Sequence, residues 1–207
     1  MLKTPRFVFF DVGNVILQYS HEFSRDQIAA TTGIDSSLVQ ELVFESGLQN
    51  RYESGKITCE KFAAEVLKHS VTDASTDDII SAASDIFKLN REIVPLLTAL
   101  RIVNVPLGIL SNTCPGHWER VLMTAPCVRQ YFTKFVLSHE SKCMKPGLGI
   151  YQHAIRLAKQ PAGFIFFIDD RLENVRAARS AGMDAHLYES ASQLFERLDE
   201  RGLRMNY

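Results

Sequence analysis

Asp11, Ser111, Lys145 and the pair Asp169-Asp170 lie far apart in the chain but share one kind of position. Each ends an apolar run that reads as a strand, or sits in the loop just after it. Parallel strands point the same way, so these loops gather along one edge of a sheet, where open α/β folds place their chemistry. Three carboxylates brought together repel, and at least one pKa rises unless cations neutralise them. One divalent ion plus the Lys145 ammonium sets three positive charges against the three carboxylates. Carboxylate oxygens select a hard ion, with Mg2+ the first choice. A centre so balanced is ready for one incoming dianion, and phosphate fits that description.

Continuous apolar runs position these residues. FVFF before Asp11, VPLGILSN (105–112), KFVLS (134–138) and FIFFI (164–168) show no alternation, as expected of strands covered on both faces. Ala185–Tyr188 reads as a short last strand. Helical patterns separate them at 91–103 (with a possible break at Pro95), 149–159, 173–181 and 190–202, and 117–131 reads as mixed helix and loop. Strands joined through helices imply right-handed crossovers and a parallel sheet. The fold class is therefore α/β, a Rossmann-like core over residues 1–17 and 90–207 with helices on both faces.

Residues 18–89 change character: only helical patterns appear, and no convincing strand. Residues 24–31 start at a Ser24 N-cap and stop near Gly33. Residues 36–46 place Leu38, Val39, Leu42 and Val43 on one face. Thr58 caps a helix with a Phe62, Val66 and Leu67 stripe. A last helix is predicted from Thr76 to Phe87, with acidic residues in its first turn. Together they form an inserted all-helical cap.

At 207 residues, 46% hydrophobic and a formal net charge of −1, the chain shows neither a basic nucleic-acid surface nor a membrane-seeking helix. No apolar run approaches the ~20 residues of a membrane span, and the amino terminus lacks a secretory cleavage pattern. The four cysteines form no CxxC pair and the six histidines no zinc-ligand spacing. A cytoplasmic protein with reduced cysteines is expected. No pattern specifies an oligomeric state.

The motifs FVFFDVGNV (7–15), LGILSN (107–112), Lys145-Pro146 and FFIDDRLENVRAA (166–178) occur in this order, with the helical insertion directly after the first. By these motifs the chain resembles the haloacid dehalogenase-like hydrolase superfamily. Its flavour is closest to the subgroup of α-glucose-1-phosphate phosphatase and the phosphatase domain of soluble epoxide hydrolase. The resemblance implies Mg2+-dependent hydrolysis of a small phosphomonoester through an aspartyl-phosphate. Asp11 would be the nucleophile, and Ser111 with the Asn112 amide would hold the phosphoryl oxygens. Lys145 would neutralise developing charge and orient Asp11. Asp11, the Gly13 carbonyl and Asp170 would ligate Mg2+, with Asp169 beside them and Asn174 reaching back to fix Asp170.

The departure is Gly13, where the family pattern has a second Asp serving as acid and base. Two other readings follow. One is a 2-haloacid dehalogenase, which needs no metal. The other is a catalytically silent phospho-ligand binding module. Each residue also has a plainer reading: Ser111 as a helix N-cap, Asp169-Asp170 as an acidic helix start, His117 and Trp118 as packing, Phe87 and Leu89 as core. Tyr19, His21 and Tyr52 are candidates to line the inner face of the cap, and nothing makes Cys114 a nucleophile.

Overall fold

The computed structural model describes residues 2–205. Five strands form a parallel sheet: β1 (Phe7–Phe10), β4 (Leu107–Ser111), β5 (Phe132–Leu137), β6 (Ile165–Asp169) and β7 (Asp184–Leu187), in the order β5-β4-β1-β6-β7. β1 is central, and every residue of β1, β4 and β6 is buried. That burial is why these strands read as unbroken apolar runs. Alternate side chains feed two cores. Val8, Phe10, Ile109, Phe166 and Ile168 enter one with the helices Ile93–Ile102 and Ala191–Asp199. Phe7, Phe9, Leu110, Ile165 and Phe167 enter the other with the helices Leu148–Ala158 and Leu172–Ser180. Pro95 lies in the first turn of its helix, where it interrupts no intrahelical bond, so the helix has no break. The segment 117–131 resolves into two helices, Pro115–Thr124 and Pro126–Tyr131, each opened by its proline.

Between β1 and β4 the chain is helical, with one correction. β2 (Leu17–Tyr19) and β3 (Phe87–Leu89) pair antiparallel in a two-stranded ribbon at the two ends of the helical stretch. The last helix of that stretch therefore stops at Ser84 and not at Phe87, and Ser75 with Asp78 forms its capping box. The first helix runs His21–Thr32 on a Ser20 N-cap. Ser24 is buried inside it, its hydroxyl donating to the Ala83 carbonyl. Gly33 ends that helix with φ at 70°. Leu38 is exposed, while Val39 and Val43 are buried. These helices enclose a third core around Ile28, Leu48, Tyr52, Phe62 and Ile79. All four cysteines are free, and no described helix is long and apolar enough to cross a membrane.

Four polar contacts tie this helical body to the segments that follow β4 and β5. The Ser138 hydroxyl donates to the Glu53 carbonyl at 2.6 Å and Lys142 Nζ to the Gly55 carbonyl at 2.7 Å. The Gly116 amide donates to the Tyr52 hydroxyl at 3.4 Å, and His117 Nε2 meets the Ala83 carbonyl at 3.2 Å. Burial holds the His117 imidazole down to about 4, so its neutral form belongs to the fold and Nε2–H is the donor. An unfolded histidine takes up its proton near 6.5. The stability His117 confers is therefore whole above that pH and disappears as pH falls toward 4.

Two predictions follow from this packing. In urea unfolding near pH 7 and near pH 4.5, the wild type should lose roughly 2–3 kcal/mol more than His117→Gln between the two conditions. Gly108 in β4 has no room for a side chain, because a Cβ there would lie 2.5 Å from Phe9 Cε1 and 2.8 Å from Phe7 Cε1. Gly108→Ala should destabilise the protein by about 1–3 kcal/mol in the same assay through overpacking.

Candidate active site

The carboxyl ends of β1, β4 and β6 meet at one point. Asp11 follows β1, its amide donating to the Ile168 carbonyl at 2.8 Å, and Asp169 ends β6. Lys145 Nζ lies between them, 2.9 Å from Asp11 Oδ2 and 2.6 Å from Asp169 Oδ2. All three are nearly sealed from solvent, with side-chain exposures of 1% for Lys145, 10% for Asp11 and 0% for Asp169. Burial pushes the Asp11 carboxyl up to about 7. The Lys145 ammonium opposes that rise and the Asp169 carboxylate adds to it. Lys145 is itself raised: burial works against its charge, but the Asp11 and Asp169 carboxylates outweigh it.

Carboxylate oxygens of Asp11, Asp169 and Asp170 all lie within 4.8 Å of one another. The three acids are not equivalent. Asp169 Oδ2 takes the Lys145 ammonium, while Oδ1 accepts from the Arg171 amide and from Asn174 Nδ2, both at 2.9 Å. Asn174 thus fixes Asp169 and not Asp170, because the helix opening at Leu172 turns its amide toward β6 and away from the loop. Asn14 holds Asp170 instead, Nδ2 donating to Oδ2 at 2.9 Å from a backbone with φ at 54°. An all-oxygen set with Asp11 and Asp170 less encumbered than Asp169 fits a hard divalent cation.

Asn112 has a role that its type did not reveal. Its Nδ2 donates to the Lys145 carbonyl at 2.9 Å, and its Oδ1 accepts from the Lys145 amide at 2.8 Å. This two-point clamp fastens the loop carrying Lys145 to the end of β4. Ser111 is buried at the same strand end and its hydroxyl helps to hold the Asp11 pKa down.

These residues floor a cavity of about 310 Å³. Its roof comes from the other body: Tyr19, His21, Phe44, Gln49 and Glu53. Tyr52 is not among the lining residues. It is buried inside the helical core, stacked on Phe62 at 4.7 Å and bonded to Cys59 Sγ. Phe87 and His117 do line the cavity, with rings edge-on at 5.4 Å, so Phe87 is more than core. Trp118 packs on Phe135 instead. Burial raises the Glu53 carboxyl above its ordinary range, against the pull of its bond from Gln49. Burial, with the Asp11 and Asp170 carboxylates, pushes the Tyr19 phenol up to about 12. Burial makes Cys114 a still weaker acid, which removes it as a nucleophile.

The chain is similar to a haloacid dehalogenase (HAD) family enzyme from Bacteroides thetaiotaomicron, solved in complex with magnesium and inorganic phosphate. The TM-score is 0.82 at 25% identity, over 92% of this chain and 99% of that one. A HAD-like family hydrolase from Porphyromonas gingivalis gives a TM-score of 0.79 at 22% identity, over 95% and 97% of the two chains. Among curated proteins, drimenol cyclase drtB of Aspergillus calidoustus is 26% identical across 96% of this chain, which spans only 38% of that protein. The family model of haloacid dehalogenase-like hydrolases matches residues 5–182, from the start of β1 to the end of the helix after β6. With its parallel sheet and the acidic cluster at the sheet's carboxyl edge, the chain belongs to the haloacid dehalogenase-like hydrolases.

Proposed function

We propose that the protein is a Mg2+-dependent phosphatase that hydrolyses small phosphomonoesters, sugar phosphates among them, through an aspartyl-phosphate on Asp11. The observation that carries this reading is the buried ammonium of Lys145 shared by Asp11 and Asp169. It keeps one Asp11 oxygen engaged and orients the carboxylate at the cavity floor. The magnesium and inorganic phosphate in the Bacteroides thetaiotaomicron relative support the reading.

In the first half-reaction an Asp11 oxygen attacks phosphorus in line. The bond to the leaving oxygen breaks and takes its electron pair to that oxygen. Water then attacks the acyl phosphate, releasing phosphate and restoring the carboxylate. The Ser111 hydroxyl and the Asn112 amide hold the transferring oxygens, and Lys145 balances their charge. Asp11, Asp170 and the Gly13 carbonyl would hold Mg2+, with Asp169 supporting them through Lys145 and Asn174. When bound, the ion supplies further charge neutralisation at the phosphoryl oxygens. Residues 18–89 would act as a cap on the core of 1–17 and 90–207, excluding water and selecting the substrate through the cavity roof. The three-carboxylate cluster favours this chemistry over metal-free dehalogenation, for which a second acid beside Asp169 has no use.

Asp11→Asn should cut turnover of p-nitrophenyl phosphate by more than about a thousand-fold with an unchanged circular dichroism spectrum. Full activity in that variant overturns the assignment. Chelation by EDTA should abolish phosphate release and added Mg2+ restore it, and Asp170→Asn should raise the Mg2+ needed for half-maximal rate about tenfold or more. Chloride release from 2-chloropropionate, indifferent to EDTA, would instead make the protein a dehalogenase. Phosphate esters bound but never cleaved would make it a silent binding module.

A further inference from the structure

Position 13 carries no side chain, but the space beside it is filled. A Cβ built on Gly13 would lie 2.7 Å from Tyr19 Cε1 and 3.2 Å from Tyr19 Cδ1, so the Tyr19 ring occupies the volume a larger residue would need. The backbone arranges this. The Asn14 amide donates to the Leu17 carbonyl at 2.7 Å, and Gly13 bridges to Leu17. The loop after β1 therefore doubles back and delivers β2 directly over residue 13. The ring is braced edge-on by His21 at 5.0 Å and, in a tilted contact, by Phe87 at 6.3 Å.

We propose that the Tyr19 hydroxyl donates a hydrogen bond to the departing oxygen of the phosphoester, as a catalytic residue reaching the reacting atoms from β2 in place of a side chain at position 13. The proposal rests on the phosphatase reading above. Attack by Asp11 from the cavity floor is in line, so the leaving oxygen points away from Asp11, toward the roof to which Tyr19 belongs. As the P–O bond breaks, its electron pair goes to that oxygen. The phenol O–H stabilises the charge, and the proton that completes the alcohol comes from water. A phenol suits the task because it is a neutral donor at working pH.

Three other protic groups around the cavity are already engaged. His117 Nε2 is bonded to the Ala83 carbonyl, the Thr113 hydroxyl turns to the Cys114 carbonyl, and Glu53 accepts from Gln49. The Tyr19 hydroxyl bonds no described residue, and only ring contacts fix the side chain.

The experiment compares two esters whose leaving groups differ in their need for stabilisation: p-nitrophenyl phosphate, which departs as a stable phenolate, and phenethyl phosphate, which departs as an alkoxide. Tyr19→Phe keeps the ring and its packing. It should lower kcat/KM for phenethyl phosphate by about tenfold or more beyond its effect on p-nitrophenyl phosphate. Equal losses on both esters, or no loss, would assign Tyr19 to packing and overturn the proposal. A selective loss in Glu53→Gln and not in Tyr19→Phe would overturn it in favour of Glu53. If the wild type cleaves neither ester, the phosphatase reading fails and this proposal with it. If the wild type is active and Asp11→Asn is inactive, a negative Tyr19 result touches Tyr19 alone.

Discussion

Everything at the sheet edge depends on one ammonium. Lys145 is a buried cation in contact with two buried carboxylates, an arrangement tolerable only while the ammonium keeps a carboxylate to pair with. A buried ion pair contributes little net stability against an apolar replacement, but removing one partner leaves uncompensated charge and is strongly destabilising. Much of the surrounding structure holds the three together. The Asn112 clamp fixes the Lys145 backbone. Asn174 and the Arg171 amide occupy the remaining oxygen of Asp169. Tyr151 in turn donates to the Asn174 carbonyl at 3.0 Å, so the chain of supports reaches into the second core. These contacts are better explained as positioning than as stabilisation, because the charges they gather would be separated in a protein selected only to fold.

The fold was legible wherever burial on both faces left an unambiguous composition. LGILS and IFFID have no polar residue until their last positions and FVFF none before Asp11, and each of those polar residues marks the site edge. The β2–β3 ribbon was not legible, because LQY and FKL are three residues each and mix polar with apolar. Their strand character comes from pairing with one another across the helical segment, a long-range contact that no local pattern encodes. Ser24 failed as a helix start for a related reason. Ser20 lies at the end of β2, and the strand sets where the helix can begin.

The same division runs through the site. The meeting of Asp11, Lys145 and Asp169 followed from strand ends and charge arithmetic alone. The assignment of Asn174 to Asp170 did not survive, since one helical turn of spacing says which residues are near and not which oxygen is reached. Asn14 and Asn112 hold the acids and the lysine through amides whose partners lie far along the chain. Side-chain amides carry no charge to count, so such contacts emerge only from coordinates. The roof was the least legible part. Tyr52 and Tyr19 are both tyrosines of the same segment, yet one is sealed in a core and the other faces the cavity.

The pairing of Leu17 with Leu89 brings the two ends of the helical segment side by side. Whatever lies between them enters and leaves the core through a single doorway, and closing that doorway depends only weakly on how much chain it encloses. Helices there can lengthen, shorten or be exchanged without changing the register of the parallel sheet. The acidic cluster at the sheet edge and the helical segment inserted beside it are in this way free to evolve on separate clocks.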